Sequence, residues 1–243
     1  MKIGVLGATG PAGSSLAARL ASVGYDVVMG SRSKYRAMES RDEVVERWGG
    51  FNLSLEAGSN EDAAEADMVF VATPWDAAAS TVKGLSARLD GKVVVSMANA
   101  LAKVGHEFQP LVPPRGSVAA SVQAALPRAH VAAALHHVPA RELGHLSHPV
   151  ISDVLVCADD PAASALTCEV VGKIPDLRPL EAGELSNAAP IEAFAAVLLQ
   201  LNVRYKTRVA VRFTGLDRLD KPRQPTPRPN APAEADHEQD QQP

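Results

Sequence analysis

Lys2-Ile3-Gly4-Val5-Leu6-Gly7-Ala8-Thr9-Gly10-Pro11-Ala12-Gly13 opens the chain, and its reading decides the fold. Lys2 to Leu6 is a short apolar run with the composition of a buried strand. The glycine-rich turn follows at once, then an apolar helix from Pro11 to about Val23. A second strand, Asp26-Val27-Val28-Met29, ends in Gly30-Ser31-Arg32-Ser33-Lys34. Strand, glycine turn, helix and strand in this order open a dinucleotide-binding α/β fold.

Each part of that opening has a physical task. Gly7 allows a sharp turn, Gly10 admits a pyrophosphate without a Cβ in its way, and Gly13 lets the helix pack closely on the sheet. The free N–H groups of the first helical turn, near Pro11 and Ala12, face the phosphates, and the helix dipole adds attraction. Pro11 fits because that turn has no use for its N–H. Thr9 offers a hydroxyl donor inside the loop. The spacing is G-x-x-G-x-x-G rather than G-x-G-x-x-G, which implies a slightly different loop shape.

The end of the second strand selects the dinucleotide. A cofactor lacking the 2′-phosphate is usually held there by Asp or Glu on the ribose hydroxyls. This chain instead offers Ser31, Arg32, Ser33, Lys34 and, one turn later, Arg36. Guanidinium forks match a phosphate, and a carboxylate would repel it, so the expected cofactor is NADP(H).

A chain of 243 residues can bury a good core. Its net charge of −4 argues against a general nucleic-acid surface. Cys157 and Cys168 have no metal-like spacing and read as buried, reduced thiols. No apolar run reaches the roughly 20 residues needed to span a bilayer. With a strand starting at the N-terminus and no secretory signal, the expected location is the cytoplasm.

Strand and helix signals alternate along the chain. A helix is expected over Tyr35 to Trp48, a short strand at Leu53 to Leu55, and a brief helix over Ala63 to Ala66 capped near Ser59. Strands follow at Met68 to Thr73 and Lys92 to Ser96, separated by one helix, Ala77 to Leu89, capped by Asp76. Residues Met97 to Gly116 read as irregular. A helix at Val118 to Ala125 leads to a strand at His130 to Leu135 and the loop His136-His137-Val138-Pro139-Ala140. Beyond it come a strand at Val154 to Cys157, a helix from Pro161 to Val171, a long helix from Leu185 to Tyr205, and a last strand at Val209 to Phe213.

The expected architecture is α/β: a Rossmann-type, doubly wound, mostly parallel sheet with a small C-terminal α/β cap. Residues 1–150 form the NADP-binding part, 151–216 a small substrate or dimerisation domain, and 217–243 a disordered tail. The long apolar helix reads as core or as the contact of a homodimer.

Several of these stretches together resemble the NADPH-dependent reductases of the 5-deazaflavin coenzyme F-420. They are Val5 to Gly10, Gly30-Ser31-Arg32, Ala72-Thr73-Pro74-Trp75, Ala134 to Ala140 and Gly183-Glu184-Leu185-Ser186-Asn187, in order over about Met1 to Gly215. The variant Ser96-Met97-Ala98-Asn99-Ala100-Leu101 looks like an actinobacterial branch. The resemblance implies reversible hydride transfer between nicotinamide carbon 4 and deazaflavin carbon 5, with NADP(H) as cofactor and coenzyme F-420 as co-substrate. It implies that Thr9, Gly10, Pro11, Ala12, Ser31, Arg32 and Arg36 hold the NADP phosphates. It also implies that Thr73, Pro74 and Trp75 lie along the cofactor, Ala140 near the nicotinamide, and Val209 against the cofactor through its backbone. Two departures from the family, His137 and the Met97 to Ala100 loop, border the expected deazaflavin pocket.

Such a transfer needs two rings stacked and dry, with reacting carbons about 3–3.5 Å apart, and little acid–base machinery. No catalytic side chain and no metal site are therefore expected. His136 and His137 read as ring-positioning residues, with His136 counted in the cofactor site. Two other readings are an NADPH-dependent reductase of a small imine or carbonyl compound and a non-catalytic NADP-binding protein. The short C-terminal part and the absence of a proton donor weigh against the first.

Overall fold

The apolar runs read from the sequence line up as neighbouring strands. A computed structural model describes residues 1–216, and the expectation of a disordered tail at 217–243 lies outside them. The order begins β1 (Lys2–Leu6), α1 (Pro11–Ser22), β2 (Asp26–Ser31), α2 (Lys34–Arg47), β3 (Leu55–Ser59), α3 (Asn60–Ala64) and β4 (Met68–Val71). It continues with α4 (Trp75–Lys83), α5 (Ser86–Leu89), β5 (Val93–Ser96), β6 (Leu101–Val104), β7 (Glu107–Pro110), α6 (Val118–Ala125) and β8 (His130–Ala133). The last elements are α7 (Ala140–Leu143), β9 (Ser152–Ala158), α8 (Pro161–Gly172), β10 (Leu177–Glu181), a 3-10 turn at Leu185–Asn187 and α9 (Ala188–Tyr205).

One eight-stranded sheet runs β10-β9-β8-β5-β4-β1-β2-β3. Its neighbours are parallel except β8 and β9, which are antiparallel. This is the Rossmann-type α/β fold that the strand–helix alternation implies. Side chains alternate between two cores, one on each face: Ile3, Val5 and Phe70 belong to one, and Leu6, Val69 and Val71 to the other. Burial on both faces explains why these strands read as continuous apolar runs. Connections leave β1 towards β2 on one side and return through β4 on the other, so a crevice opens at the carboxyl ends of β1 and β4. That crevice positions the site.

The structure differs from the sequence reading in several places. The strand expected at Leu53 to Leu55 lies later, at Leu55–Ser59, pairing with β2 from Val27–Leu55 to Ser31–Ser59. The helix expected over Ala77 to Leu89 is two helices, interrupted at Gly84 and Leu85. Pro74, not Asp76, occupies the cap of α4; Asp76 sits in its first turn, where a carboxylate complements the dipole. The Met97 to Gly116 stretch holds an antiparallel hairpin, β6–β7, hidden by short strands that are exposed at several positions. Helix α9 is preceded by a 3-10 turn rather than starting at Leu185. Strand β10 contains Pro179, which an edge strand tolerates because half of its ladder groups face away from the sheet.

Val209 to Phe213, expected as a strand, runs without regular secondary structure. It is fastened to the start of β9 by one buried carboxylate instead of a ladder. Asp153, with no exposed surface, accepts from Arg178 Nε at 2.8 Å and Nη2 at 2.7 Å, Arg212 Nη1 at 3.0 Å and the Phe213 N–H at 2.6 Å. The Asp153 N–H donates to the Val211 carbonyl at 2.6 Å. β9 and β10, from the stretch expected as a C-terminal cap, extend the main sheet, and Met1–Phe213 form one compact unit.

Candidate functional site

The glycine turn between β1 and α1 is rigidly placed. Gly7 has φ +75°, a left-handed conformation that an L side chain rarely adopts. Its N–H donates to Asn60 Oδ1 at 3.4 Å, while the Ala8 N–H donates to the Gly30 carbonyl at 2.9 Å. Asn60 is buried at the first position of α3, whose start is fixed by a capping box between Ser59 and Asp62. The sequence carried that capping signal, yet Asn60 itself did not stand out as a loop anchor.

Gly13 and Gly10 are glycines for different reasons. A Cβ on Gly13 would lie 2.6 Å from the Gly7 carbonyl oxygen, so close helix–loop packing requires the residue. A Cβ on Gly10 would meet nothing nearer than 3.6 Å, and its backbone, at φ −82° and ψ 160°, suits any residue. Protein packing therefore makes no demand for glycine at position 10, whereas a ligand phosphate on the helix N-terminus would. Gly10→Val is expected to leave the melting temperature nearly unchanged while weakening NADPH binding about tenfold or more, since each 1.4 kcal/mol of lost contact is tenfold in affinity. Titration of the variant with NADPH, alongside thermal unfolding, checks this.

A cleft of about 450 Å³ lies over this loop, lined by Gly7, Thr9, Gly10, Pro11, Ala12, Ser31, Arg32, Arg36, Thr73 and Pro74. Ser33, Asn60, Ala72, Ala77 and Thr81 complete its wall. Ser33 caps α2 by accepting from the Arg36 N–H at 3.4 Å, and Ser31 Oγ accepts from the Ser33 N–H at 3.3 Å. Those bonds fix the β2–α2 turn that presents both arginines. Among the described residues, neither the Arg32 nor the Arg36 guanidinium has a carboxylate partner. Trp75, expected along the cofactor, does not line the cleft; it is half-buried at the start of α4 and packs against the core that includes Leu6 and Val71.

A second cavity of about 210 Å³ adjoins the first at Ala12. His136, Ala140 and Val209 line it, with Met97, Asn99, His137, Pro139, Leu198 and Asn202 among their neighbours. Three segments far apart in sequence meet here. Asn99 Nδ2 donates to the His136 carbonyl at 2.7 Å, tying the Met97 to Ala100 loop to the end of β8. Asn202 Oδ1 on α9 accepts from the Val209 N–H at 2.6 Å, bringing Val209 to the cavity. Leu135, with φ +66°, bends the backbone just before His136; a branched side chain in that region is strained and is held only by its surroundings.

Burial biases both imidazoles towards the neutral form. Burial, and secondarily the neighbouring His137, holds the His136 imidazole down to about 3, against an opposing pull from the Ala98 and Met97 backbone. Burial also lowers His137, although its Nε2–H donates to the Asp153 carbonyl at 2.8 Å. In the unfolded chain these rings take up protons near pH 6.5, whereas the folded protein resists doing so. The unfolded state thus binds more protons as pH falls below 6.5, and stability declines in that direction. Melting temperature is expected to fall between pH 7 and pH 5, with a shallower slope in His136→Asn; equal slopes would contradict the assignment.

The geometry is a basic-lipped cleft over a helix N-terminus, adjoining a smaller cavity whose lining carries no Asp, Glu, Lys or Arg. A family model described as "NADP oxidoreductase coenzyme F420-dependent" matches residues 2–100. The chain is 36% identical over 223 residues to the F420-dependent NADP reductase of Methanocaldococcus jannaschii, covering 89% of this chain and 100% of that relative. It belongs to the F420-dependent NADP reductase family. The F420-dependent NADP reductase of Methanothermobacter thermautotrophicus is 33% identical over 222 residues, covering 89% of this chain and 96% of the relative. A crystal structure from Arthrobacter sp. FB24 superposes with a TM-score of 0.74 at 23% identity, covering 88% of this chain and all of that one, which shows a shared fold. Among the described residues of this family member no helix is long and apolar enough to cross a membrane.

Proposed function

We propose that this chain transfers hydride reversibly between NADP(H) and the 5-deazaflavin coenzyme F-420, the nicotinamide end lying in the cavity of His136, Ala140 and Val209. The observation that carries this reading is the pairing of a cleft lipped by Arg32 and Arg36, neither with a carboxylate partner among the described residues, with an adjoining cavity lined by apolar residues, amides and buried histidines. The arginines suit a 2′-phosphate, and a cavity without charged side chains suits two stacked rings. NADPH, when bound, supplies the hydride. The chain's own part is positional. Gly7, Thr9, Gly10, Pro11 and Ala12 cradle the pyrophosphate; Ser31, Arg32 and Arg36 hold the 2′-phosphate; Thr73 and Pro74 flank the ribose path; His136, Ala140 and Val209 fix the nicotinamide. Trp75 acts indirectly, by packing the start of α4 against the core.

Residues 151–216 serve as the substrate side, with Leu198 and Asn202 of α9 facing the second ring. Exposed Val197, Val203 and Tyr205 on the same helix support a homodimer, and buried unpaired Cys157 supports a cytoplasmic location. Mixing the protein with NADPH and oxidised coenzyme F-420 tests the function. Loss of the deazaflavin's visible absorbance, much slower with NADH, is expected; NADPH binding without any loss would reject it.

His137 is a positioning residue in this account, because its one engaged nitrogen is committed to the Asp153 carbonyl. His137→Ala should lower turnover by about tenfold or less, below the roughly 10²–10⁴ contributed by a general acid. A loss beyond a hundredfold, with a new pH dependence, would make His137 a proton donor.

A further inference from the structure

A third cavity, of about 310 Å³, shares Pro11 with the cofactor cleft and takes its other lining residues from outside it. Arg141 on its rim directly follows Ala140 of the inner cavity. Ser14 and Ser15 of α1, Arg47 and Trp48 at the end of α2, and Gly144 and His145 form the rest of its wall.

That wall is built rather than incidental. Arg19, buried on α1, donates through Nη2 to the carbonyls of His145 at 2.7 Å and His148 at 3.0 Å, and through Nε to that of Leu143 at 2.8 Å. The rings of His145 and His148 stack with centroids 4.3 Å apart, and Trp48 meets His145 edge-on at 5.4 Å. The loop after α7 is thus pinned against α1 and α2, and Arg47 and Arg141 open on one shared space.

Their charges are uncompensated. Three exposed arginines elsewhere have carboxylates: Arg88 has Glu65, Arg128 has Asp90, and Arg208 takes up Glu142, the acid next to Arg141. Among the described residues neither Arg47 nor Arg141 has such a partner. The same arrangement, two unpaired guanidiniums over one cavity, occurs at Arg32 and Arg36, where a phosphate belongs. In a protein of net charge −4, two like charges held around a cavity favour an anion between them.

We infer that the Arg47–Arg141 cavity receives the anionic side chain of the deazaflavin, its phosphodiester and glutamyl carboxylates, as that chain leaves the inner cavity past Ala140. The assignment rests on the reading given under Proposed function and extends it to the second substrate. Phosphate and carboxylate share the chemistry that two guanidiniums recognise, and a free anion offers the same groups. Only the tail of the coenzyme ties the cavity to one substrate.

The test compares full-length coenzyme F-420 with its riboflavin-like core lacking phosphodiester and glutamates, in the intact protein and in the Arg47→Ala, Arg141→Ala and double variants. The double variant is expected to raise KM for the full coenzyme roughly tenfold, as exposed charge pairs contribute modestly one by one. KM for the core and for NADPH, and kcat with every substrate, should stay near the values of the unaltered protein. Raising salt should increase KM for the full coenzyme and not for the core. Equal responses of both deazaflavins, or none, would overturn the tail assignment; a free-anion cavity would give that result. Turnover of neither deazaflavin by the unaltered protein would overturn the hydride-transfer reading itself, and this inference with it.

Discussion

Arg32→Glu is expected to raise KM for NADPH by about a hundredfold while leaving kcat within a few-fold. The guanidinium stands on the lip of the cofactor cleft with no carboxylate partner among the described residues, so its charge is available to a 2′-phosphate. A charge-assisted hydrogen bond to such a group contributes about 1.5–3 kcal/mol, and the introduced carboxylate adds repulsion. Because the phosphate lies far from the reacting carbon, ground and transition states lose this contact equally, and the loss falls on KM rather than kcat. A carboxylate at this position also accepts from free ribose hydroxyls, so KM for NADH should fall or hold steady. Steady-state kinetics with both nucleotides decide the matter. An unchanged NADPH KM would remove Arg32 from the phosphate site.

Asp153→Ala is the substitution with the largest expected effect on stability. Burial pushes this carboxyl up, but hydrogen bonds from Arg178, the Phe213 N–H and Arg212 outweigh it and hold it below the usual carboxylate range. Breaking a fully buried pair costs about 3–5 kcal/mol; here the arginines keep partial access to water, so about 2–3 kcal/mol is expected. For a chain of this size that lowers the melting temperature by roughly 5–10 °C. The loss should not stay local. The Asp153 carboxylate anchors the 209–213 segment, so Val209 loses its footing, while the main-chain carbonyl that accepts from His137 is retained. NADPH affinity and turnover should fall together in the folded variant at low temperature. Full activity in a protein destabilised by that amount would show that the segment does not need this anchor.

How much of this was legible in the sequence depended on the range of the interactions involved. The β1–α1–β2 opening was readable because each of its signals, the glycine spacing with Pro11 and the Ser31-Arg32 cluster at a strand end, is local in sequence. Most cleft residues therefore fell where the motif put them. Trp75 did not, since whether an aromatic after a proline faces a cleft or a core depends on how α4 rolls on the sheet. The inner cavity was legible only in pieces. Ala140 and Val209 were placed there by family resemblance and His136 by its position at a strand end, but their convergence depends on Asn99 and Asn202, whose partners lie at 136 and 209. The Asp153 network and the Arg19 clamp on the 142–148 loop were not foreseen, because a lone charge in a sequence carries no sign of its distant partner. Strand β10 was missed for a similar reason: Pro179 argues against a strand unless its edge position is known.

The most direct test of the central claim follows the hydride itself. NADPH deuterated at nicotinamide carbon 4 is mixed with the protein and oxidised coenzyme F-420 in ordinary water, and the reduced deazaflavin is examined by mass spectrometry and NMR. Direct transfer between stacked rings predicts deuterium at carbon 5 of the product from one of the two carbon-4 positions. Product carrying only solvent hydrogen there would contradict the account.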